Sequence, residues 1–168
     1  MNESWDLIDI HRNPTGETWI RGTKAQIPQG KFHVIVSVWT VTRDGKILIT
    51  KRHSNKSFGG MWENTGGAVI SGETSLEAAA RELKEETGLD KAQGTLTFLG
   101  DVWHIGYVVD TYLFTADFEI DDLSLQPEEV VAAKFATRKD IEKLHTLGQI
   151  VLNVYRTFCN YRKEITGE

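Results

Sequence analysis

GAVISGETSLEAAARELKEETGL, residues 67–89, carries the strongest structural signal in this 168-residue chain. Thr74 is followed three residues later by Glu77, and this pair has the form of a capping box at the start of a helix. Gly88 supplies a residue that tolerates the left-handed conformation in which helices commonly end. The pattern therefore predicts a helix over residues 75–87.

Three carboxylates lie close together near the end of the predicted helix, at Glu82, Glu85 and Glu86. At about 100° per residue we expect them on one side of the helix, beside the small residues Ala78 and Ala79. The opposite side is expected to pack against a core through Leu76, Ala80, Leu83 and Thr87.

Like charges at this spacing cost about 0.2–0.5 kcal/mol per pair in water, and more in a dry cleft. A divalent cation would remove that repulsion, and clustered carboxylate oxygens suit Mg²⁺ or Mn²⁺ better than zinc. The alternative is a solvated acidic helix face that Arg81 partly neutralises.

Glycines precede the helix at Gly66, Gly67 and Gly72, and we expect them to bracket a tight turn. Glycine also lets a backbone carbonyl or amide approach an ion or a phosphate closely. Glu73 and Arg81 lie eight positions apart, so an ion pair between them would fasten the loop to the helix. The segment therefore predicts a loop-helix-loop cradle for an ion.

The segment resembles the Nudix box, G-x5-E-x7-R-E-U-x-E-E-x-G-U with U apolar. Every fixed position is matched, by Gly67, Glu73, Arg81-Glu82-Leu83, Glu85-Glu86 and Gly88-Leu89. Strand patterns over residues 33–41 and 47–52, joined by a turn at 43–46, precede the box in the order of that family. The resemblance implies an α/β fold in which a mixed β-sheet packs between helices.

Nudix enzymes typically hydrolyse a diphosphate joined to another group, often a nucleoside, and their box holds divalent ions. The resemblance implies that Glu82 and Glu86 bind the metal directly together with the carbonyl of Gly66, whereas Gly67, Glu73 and Arg81 are structural. Glu85 either completes the metal shell or accepts the proton of the attacking water, so that Glu85 and Glu82 are the expected catalytic residues. A loop outside the box is a second source for the base, with candidates at Glu119, Asp121, Asp122, Glu128 and Glu129.

Basic residues lie just before the box, and Arg52 and Lys56 are the expected contacts of the substrate diphosphate. They could equally be solubilising charges on a strand edge. Trp103 and Tyr107 are the candidates for contacting the organic part of the substrate. In some Nudix branches a tyrosine about 18 positions after the box suggests dinucleoside polyphosphates, and Tyr107 lies there.

Residues 51–67 are also similar to a stretch of the type I isopentenyl diphosphate isomerases, which share the Nudix fold but shift a double bond. Those isomerases need a cysteine after Trp-x-Asn-Thr, where this chain has Gly66 and Gly67. We therefore favour a magnesium-dependent hydrolase that cleaves a diphosphate linkage in a small phosphorylated metabolite, such as a nucleoside diphosphate derivative. An isomerase-like enzyme and a non-catalytic nucleotide-sensing module are the alternatives.

Composition bears on the binding partners, the location and the cysteine chemistry that we expect. The net charge of −5 argues against general binding of nucleic acid polymers. The chain has no apolar run long enough to span a membrane and no leader-like segment at its start, so we expect a cytoplasmic protein. Its single cysteine, Cys159, excludes an internal disulfide and is expected to be a buried thiol.

The remaining patterns predict one domain with three parts: an N-terminal hairpin extension (1–30), a core (31–136) and C-terminal helices (137–168). The hairpin is expected to pair residues 5–10 with 17–21 about a turn at 13–16, and it is a candidate contact for a homodimer. Further predicted strands cover 95–103, 107–118 and 130–136, and predicted helical structure covers 140–163 with a break near Gly148.

Overall fold

The computed structural model describes residues 3–167. The strands are β1 (Ser4–Ile8), β2 (Pro14–Ile20), β3 (His33–Val41), β4 (Ile47–Arg52), β5 (Trp62–Glu63), β6 (Thr65–Ala68), β7 (Gly94–His104), β8 (Tyr107–Ala116) and β9 (Val130–Ala136). The helices are α1 (Ser75–Thr87), α2 (Arg138–Thr146), α3 (Leu152–Asn160) and α4 (Arg162–Thr166).

Seven strands form one mixed sheet, and β1 and β2 form a separate hairpin. The path through the sheet is β5-β4-β3-β8-β7, with β6 added to β3 and β9 added to β4. The β3–β8 pair is parallel and the other pairs are antiparallel. β3 is central because its run of valine, isoleucine, tryptophan and threonine suits a strand that is covered on both faces. The α/β class with a mixed sheet is confirmed.

Helix α1 has the predicted bounds because the residues that begin and end it act locally. The Thr74 side chain accepts a hydrogen bond from the Glu77 amide at 3.2 Å, and the Glu77 carboxylate accepts one from the Thr74 amide at 2.8 Å. Gly88 ends the helix with φ of 79°, and its amide donates to the Lys84 carbonyl. A glycine adopts this left-handed conformation without steric cost.

The predicted faces of α1 need correction. Ala78 and Ala79 are fully buried against the sheet together with Leu83, whereas Leu76 is 48% exposed. The small alanine side chains let the helix lie close to β3 and β6. The buried side of α1 therefore also carries Glu86 into the protein, rather than leaving the glutamates on an open face.

The expected turn at Gly66 and Gly67 is instead strand β6. Ser37 pairs with Gly66 and Val36 pairs with Gly67 in an antiparallel ladder with β3. A Cβ atom at Gly66 would lie 2.4 Å from the Val36 carbonyl oxygen, so close packing of the two strands requires glycine there. Gly72, with φ of 83°, does lie in the turn before α1.

The N-terminal hairpin turns earlier than predicted. Residues 14–16 belong to β2, and the turn consists of residues 9–13. The Asp9 carboxylate accepts hydrogen bonds from the amides of His11 and Asn13, both at 2.8 Å, and Arg12 adopts φ of 65°. An Asp side chain that caps nearby amides competes with strand pairing, which explains the shift.

The C-terminal third contains three helices rather than one interrupted helix. Between α2 and α3, the Trp62 amide donates to the Gln149 carbonyl and the Val151 amide donates to the Trp62 carbonyl. This connection to β5 separates the two helices. Cys159 on α3 is exposed, which contradicts the expected burial.

Apolar residues cover both faces of the sheet. One cluster joins α1 to Val36, Val38 and Phe114, and the other joins α2–α4 to Trp39 and Ile49. Within residues 3–167, no helix is long and apolar enough to cross a membrane.

Candidate active site

A cavity of about 730 Å³ opens beside α1, β6 and α3. It brings together most of the residues that the sequence singled out. Those that line it are Arg52, Lys56, Gly66, Gly67, Arg81, Glu82, Glu85, Glu86 and Tyr107. Glu73 lies behind this surface, where it holds Arg81.

Arg81 is the internal counter-ion of the glutamate cluster. Its guanidinium donates to both oxygens of Glu73, at 2.9 and 3.0 Å, so the predicted ion pair is present. It also donates to Glu82 at 2.7 Å, to Glu85 at 3.1 Å and to the Ala68 carbonyl at 3.0 Å. These hydrogen bonds raise the pKa of Arg81 and fix the loop, the strand and the helix to one another.

Glu82 lies directly against the backbone of Gly67. A Cβ atom at Gly67 would come within 2.1 Å of Glu82 Oε1, so only glycine leaves room for the carboxylate. Burial raises the pKa of Glu82, against the opposing effect of its hydrogen bond from Arg81. Gly67 and Glu82 thus form a close contact between strand and helix at the cavity wall.

Glu86 is the most deeply buried member of the cluster. Its side chain is only 3% exposed, and its Oε2 atom has no hydrogen-bond partner among the described residues. Burial, and next the charge of Glu63, raise the pKa of Glu86 to about 8. Lys56 Nζ lies 3.8 Å from the other oxygen, Oε1. Glu85, by contrast, is half exposed and rests on Arg81.

Arg52 and Lys56 form the cationic wall of the cavity. Arg52 Nε donates to the Ser57 carbonyl at 2.7 Å, and Arg52 Nη1 pairs with Glu63. Lys56 pairs with Glu129. Both cations are therefore held by acidic residues that lie outside the box.

Glu63 is a cavity residue that the sequence analysis missed. Its side chain is 8% exposed, its Oε1 atom has no hydrogen-bond partner among residues 3–167, and burial raises its pKa. Its position as the second residue of a short, unpredicted strand gave no signal. Of the five acidic candidates outside the box, only Glu129 lines the cavity.

Aromatic rings also line the cavity. His104 and Tyr107 stack with ring centroids 4.5 Å apart, and Trp5 stacks on His33 at 4.3 Å. Burial lowers the pKa of His33 to about 4, so this imidazole is neutral at physiological pH. Trp5, from the N-terminal hairpin, was not predicted because nothing in the local sequence reveals where the hairpin docks.

Trp103 lies outside the cavity, in contrast to the sequence expectation. Its neighbours Val102 and His104 line the cavity, so alternation along β7 directs Trp103 to the opposite face of the sheet. There its ring makes an edge contact with Phe32 at 4.9 Å and lies beneath the Arg12 guanidinium.

The carboxylates fit an oxygen-preferring cation by their chemistry rather than by a preformed cage. Within residues 3–167, no three His, Cys, Asp or Glu side chains converge on a point that could hold a metal ion. Instead, Arg81 forms ion pairs with Glu82 and Glu85, and Lys56 forms one with Glu86. The unpartnered Glu86 oxygen, the all-oxygen donor set and the glycine backbone of β6 nevertheless suit Mg²⁺ or Mn²⁺.

Known proteins are similar to this chain in sequence and in fold. Residues 31–158 match the model of the NUDIX domain. An uncharacterized Nudix hydrolase of Listeria monocytogenes is 36% identical over 153 residues, which are 89% of this chain and 88% of the relative. A crystal structure from Deinococcus radiodurans superposes with a TM-score of 0.78 at 20% identity, covering 92% of this chain and 98% of the other.

A bifunctional NMN adenylyltransferase/ADP ribose pyrophosphatase of Francisella tularensis, complexed with AMP and a manganese ion, superposes with a TM-score of 0.64. Its identity is 18%, and the match covers 80% of this chain and 42% of that protein, so it bears on the fold alone. The NUDIX match spans most of the chain, and the Listeria relative matches nearly all of it. The chain therefore belongs to the Nudix hydrolase family.

Proposed function

We propose that the protein is a Mg²⁺- or Mn²⁺-dependent hydrolase that cleaves a diphosphate linkage in a small phosphorylated metabolite, with a nucleoside diphosphate derivative as substrate. One observation carries the proposal. A single cavity holds Glu82, Glu85 and Glu86 together with the cations Arg52 and Lys56. Among residues 3–167, no group hydrogen-bonds to Glu86 Oε2. Such a site can neutralise a diphosphate and activate water beside it.

The residues that would hold the ion are Glu82, Glu86 and the Gly66 carbonyl, with Glu85 at the exposed edge. A bound divalent cation would supply positive charge at the bridging and non-bridging oxygens of the diphosphate. Arg52 is already fixed by Ser57 and Glu63, so it can meet phosphate oxygens with little further ordering.

Two residues remain candidates for the base that accepts the proton of the attacking water. Glu85 is half exposed and lies at the cavity edge, where water has access. Glu129 is the alternative, because it is the one of the five acidic candidates outside the box that lines the cavity. Glu129 is paired with Lys56, so it would have to exchange that partner first.

Lack of space disfavours the isomerase alternative. A side chain at Gly66 would lie 2.4 Å from the Val36 carbonyl oxygen, and one at Gly67 would meet Glu82. The single cysteine, Cys159, does not line the cavity. No thiol is therefore available to the cavity for the acid-base chemistry of an alkene shift.

The lining of the cavity supports a nucleotide-type substrate. The cavity is lined by cations, carboxylates and aromatic rings, which suit a diphosphate joined to an organic group. A cytoplasmic location, the three-part division of one domain and a homodimer stay predictions.

A screen of substrates tests the proposed function. Purified protein with Mg²⁺ or Mn²⁺ is incubated with nucleoside di- and triphosphates, nucleotide sugars, dinucleotides and isopentenyl diphosphate in ¹⁸O-labelled water. Hydrolysis incorporates the label into a phosphate product, whereas isomerisation does not. Glu86→Gln and Glu85→Gln should each abolish turnover without unfolding the protein.

The matched control is Glu142→Gln, because Glu142 lies on α2, away from the cavity, and is 40% exposed. Its turnover should equal that of the wild type. Unchanged rates in both box variants would place the chemistry elsewhere. Binding of several compounds without conversion of any would favour the sensing module.

A further inference from the structure

The N-terminal hairpin lies outside the segment that matches the NUDIX domain, yet it is tightly docked on the core. Leu7 is 1% exposed, and Ile8 exchanges two backbone hydrogen bonds of 2.9 Å with Phe32. At the turn, Arg12 Nη1 donates to the buried carboxylate of Asp110 on β8 at 3.0 Å. These contacts fix the position of β1.

Docking places Trp5 at the cavity wall. Its indole stacks on His33 with a centroid distance of 4.3 Å and an interplanar angle of 15°, and its Nε1 donates to Glu3 at 2.8 Å. The orientation of the ring is therefore determined from two sides. Trp19, directly across the hairpin from Trp5, does not line the cavity.

The strand next to His33 continues the aromatic wall, because Tyr107 is the partner of His33 in the β3–β8 ladder. Tyr107 lies 6.0 Å from the His33 ring and stacks on His104. The Tyr107 hydroxyl lies 3.4 Å from Asn153 Nδ2, on the cavity side of α3. His33 is buried, and its Nδ1 atom has no hydrogen-bond partner among the described residues. Neutral rings and polar edges of this kind suit a planar heteroaromatic group better than an alkyl chain.

Charged groups and stacked rings line the same cavity. The carboxylates of α1 and the cations Arg52 and Lys56 line it, and so do the rings of Trp5, His33 and Tyr107. Glu3, the acidic residue beside Trp5, is paired with Arg21 at 2.7 Å. A substrate whose diphosphate lies between these carboxylates and cations would have its organic group in the same cavity as the rings.

We propose that Trp5, stacked on His33, determines substrate specificity by contacting a planar heteroaromatic ring that is joined to the diphosphate. The inference rests on the proposed function for the position of the diphosphate. It goes further by assigning the organic group to a hairpin outside the segment that matches the family.

The test compares ligands that cannot be cleaved. Methylenediphosphonate, its adenosine, guanosine, cytidine and uridine esters, and its isopentenyl ester are titrated calorimetrically in the presence of Mg²⁺. At least one nucleoside ester should bind tenfold or more tightly than methylenediphosphonate itself. The isopentenyl ester should gain less than threefold.

Three variants locate the source of this gain. Trp5→Leu keeps an apolar side chain but no ring, and should reduce the gain to less than threefold. Trp5→Phe keeps a ring and should retain most of it, since stacking does not require the indole. Trp19→Leu removes the opposite tryptophan of the same hairpin and should leave the gain unchanged. Thermal denaturation shows that each variant is folded, and the ratio of affinities cancels any general loss of binding.

Four results would overturn the inference: no nucleoside ester gains affinity, the isopentenyl ester gains as much, Trp5→Leu keeps the gain, or Trp19→Leu loses it equally. The outcome is separable from that of the proposed function because these ligands are not hydrolysed. A gain that depends on Trp5 in a protein without turnover would refute the hydrolase proposal alone. Turnover without such a gain would refute the role of Trp5 alone.

Discussion

Glu73 and Arg81, eight residues apart in the chain, are joined by two hydrogen bonds: Nε donates to Oε1 at 2.9 Å and Nη2 donates to Oε2 at 3.0 Å. Glu73 also accepts a hydrogen bond from the Ile70 amide at 3.2 Å. The pair thus connects the loop before α1 to the helix itself. The same guanidinium also donates hydrogen bonds to Glu82 and Glu85. Loss of the contact with Glu73 would therefore change the positions of these two carboxylates in the cavity.

Glu73→Gln should lower the free energy of unfolding by about 1–3 kcal/mol, because a partly buried, charge-assisted pair is lost. Urea denaturation measures the change. Glu142→Gln removes an exposed pair with Arg138 on α2 and should cost less than about 0.5 kcal/mol. Equal losses in the two variants would contradict a special role for Glu73.

Glu86 should make the metal-free protein less stable as pH rises. Its folded pKa of about 8 lies above the unfolded value of 4.5, so its contribution to stability is fully present below pH 4.5 and is lost as pH rises towards 8. The loss should be on the order of 2–4 kcal/mol. We expect Glu86→Gln to gain stability relative to wild type over this interval.

Urea denaturation in EDTA at pH 5 and pH 8 provides the measurement. The quantity to compare is the difference between wild type and Glu86→Gln, because groups remote from Glu86 titrate equally in both proteins. A difference that is independent of pH would refute the burial of a carboxylate with raised pKa. Added Mg²⁺ should restore the stability of the wild type but not of the variant.

Arg12→Ala should destabilise the protein by about 2–4 kcal/mol, because it leaves the buried Asp110 carboxylate without its partner. Asp110 is 3% exposed, so its carboxylate relies on the guanidinium for a charged hydrogen-bond donor. Arg43→Ala is the control, since Arg43 and Asp117 form an exposed pair whose loss should cost under about 0.5 kcal/mol. The idea fails if chemical denaturation gives the same midpoint for Arg12→Ala and wild type.

Arg52→Lys should raise the KM of any substrate that the screen identifies by roughly tenfold, with a smaller effect on kcat. A lysine keeps the charge but cannot donate to the Ser57 carbonyl and to Glu63 with the geometry of a guanidinium. Lys51→Arg on the same strand is the matched control. Lys51 lies over the Trp62 ring and does not line the cavity, so its KM should stay within twofold of wild type. Steady-state kinetics that show equal KM values for both variants would exclude Arg52 from substrate binding.

Signals that are local in the chain predicted the fold well. The bounds of α1, β3, β4 and β9 agree with the sequence patterns, because caps, turn residues and apolar alternation act over a few residues. Strand β6 was missed because Gly66 and Gly67 have little intrinsic preference for strands. They form a strand only because they pair with β3, some 30 residues earlier in the chain.

The site residues also fall into two groups: those that local sequence patterns predicted and those that contacts distant in the chain bring to the cavity. The box residues reach one cavity because a single helix presents them, while Glu63 and Trp5 reach it through contacts distant in sequence. Trp103 was chosen for its aromatic ring, but the face of a strand on which a ring lies depends on register, and β7 contains an irregularity between Phe98 and Gly100. The roles of all these residues stay predictions until the variants are measured.

The hairpin holds the sheet from both sides, with Arg12 against one face and Trp5 against the other. A fragment trimmed to residues 31–158 would therefore keep every glutamate of the box and lose one wall of the cavity. Compounds selected against such a fragment would be chosen without any contact with Trp5. Ligand discovery and enzyme engineering on this protein consequently require the first thirty residues.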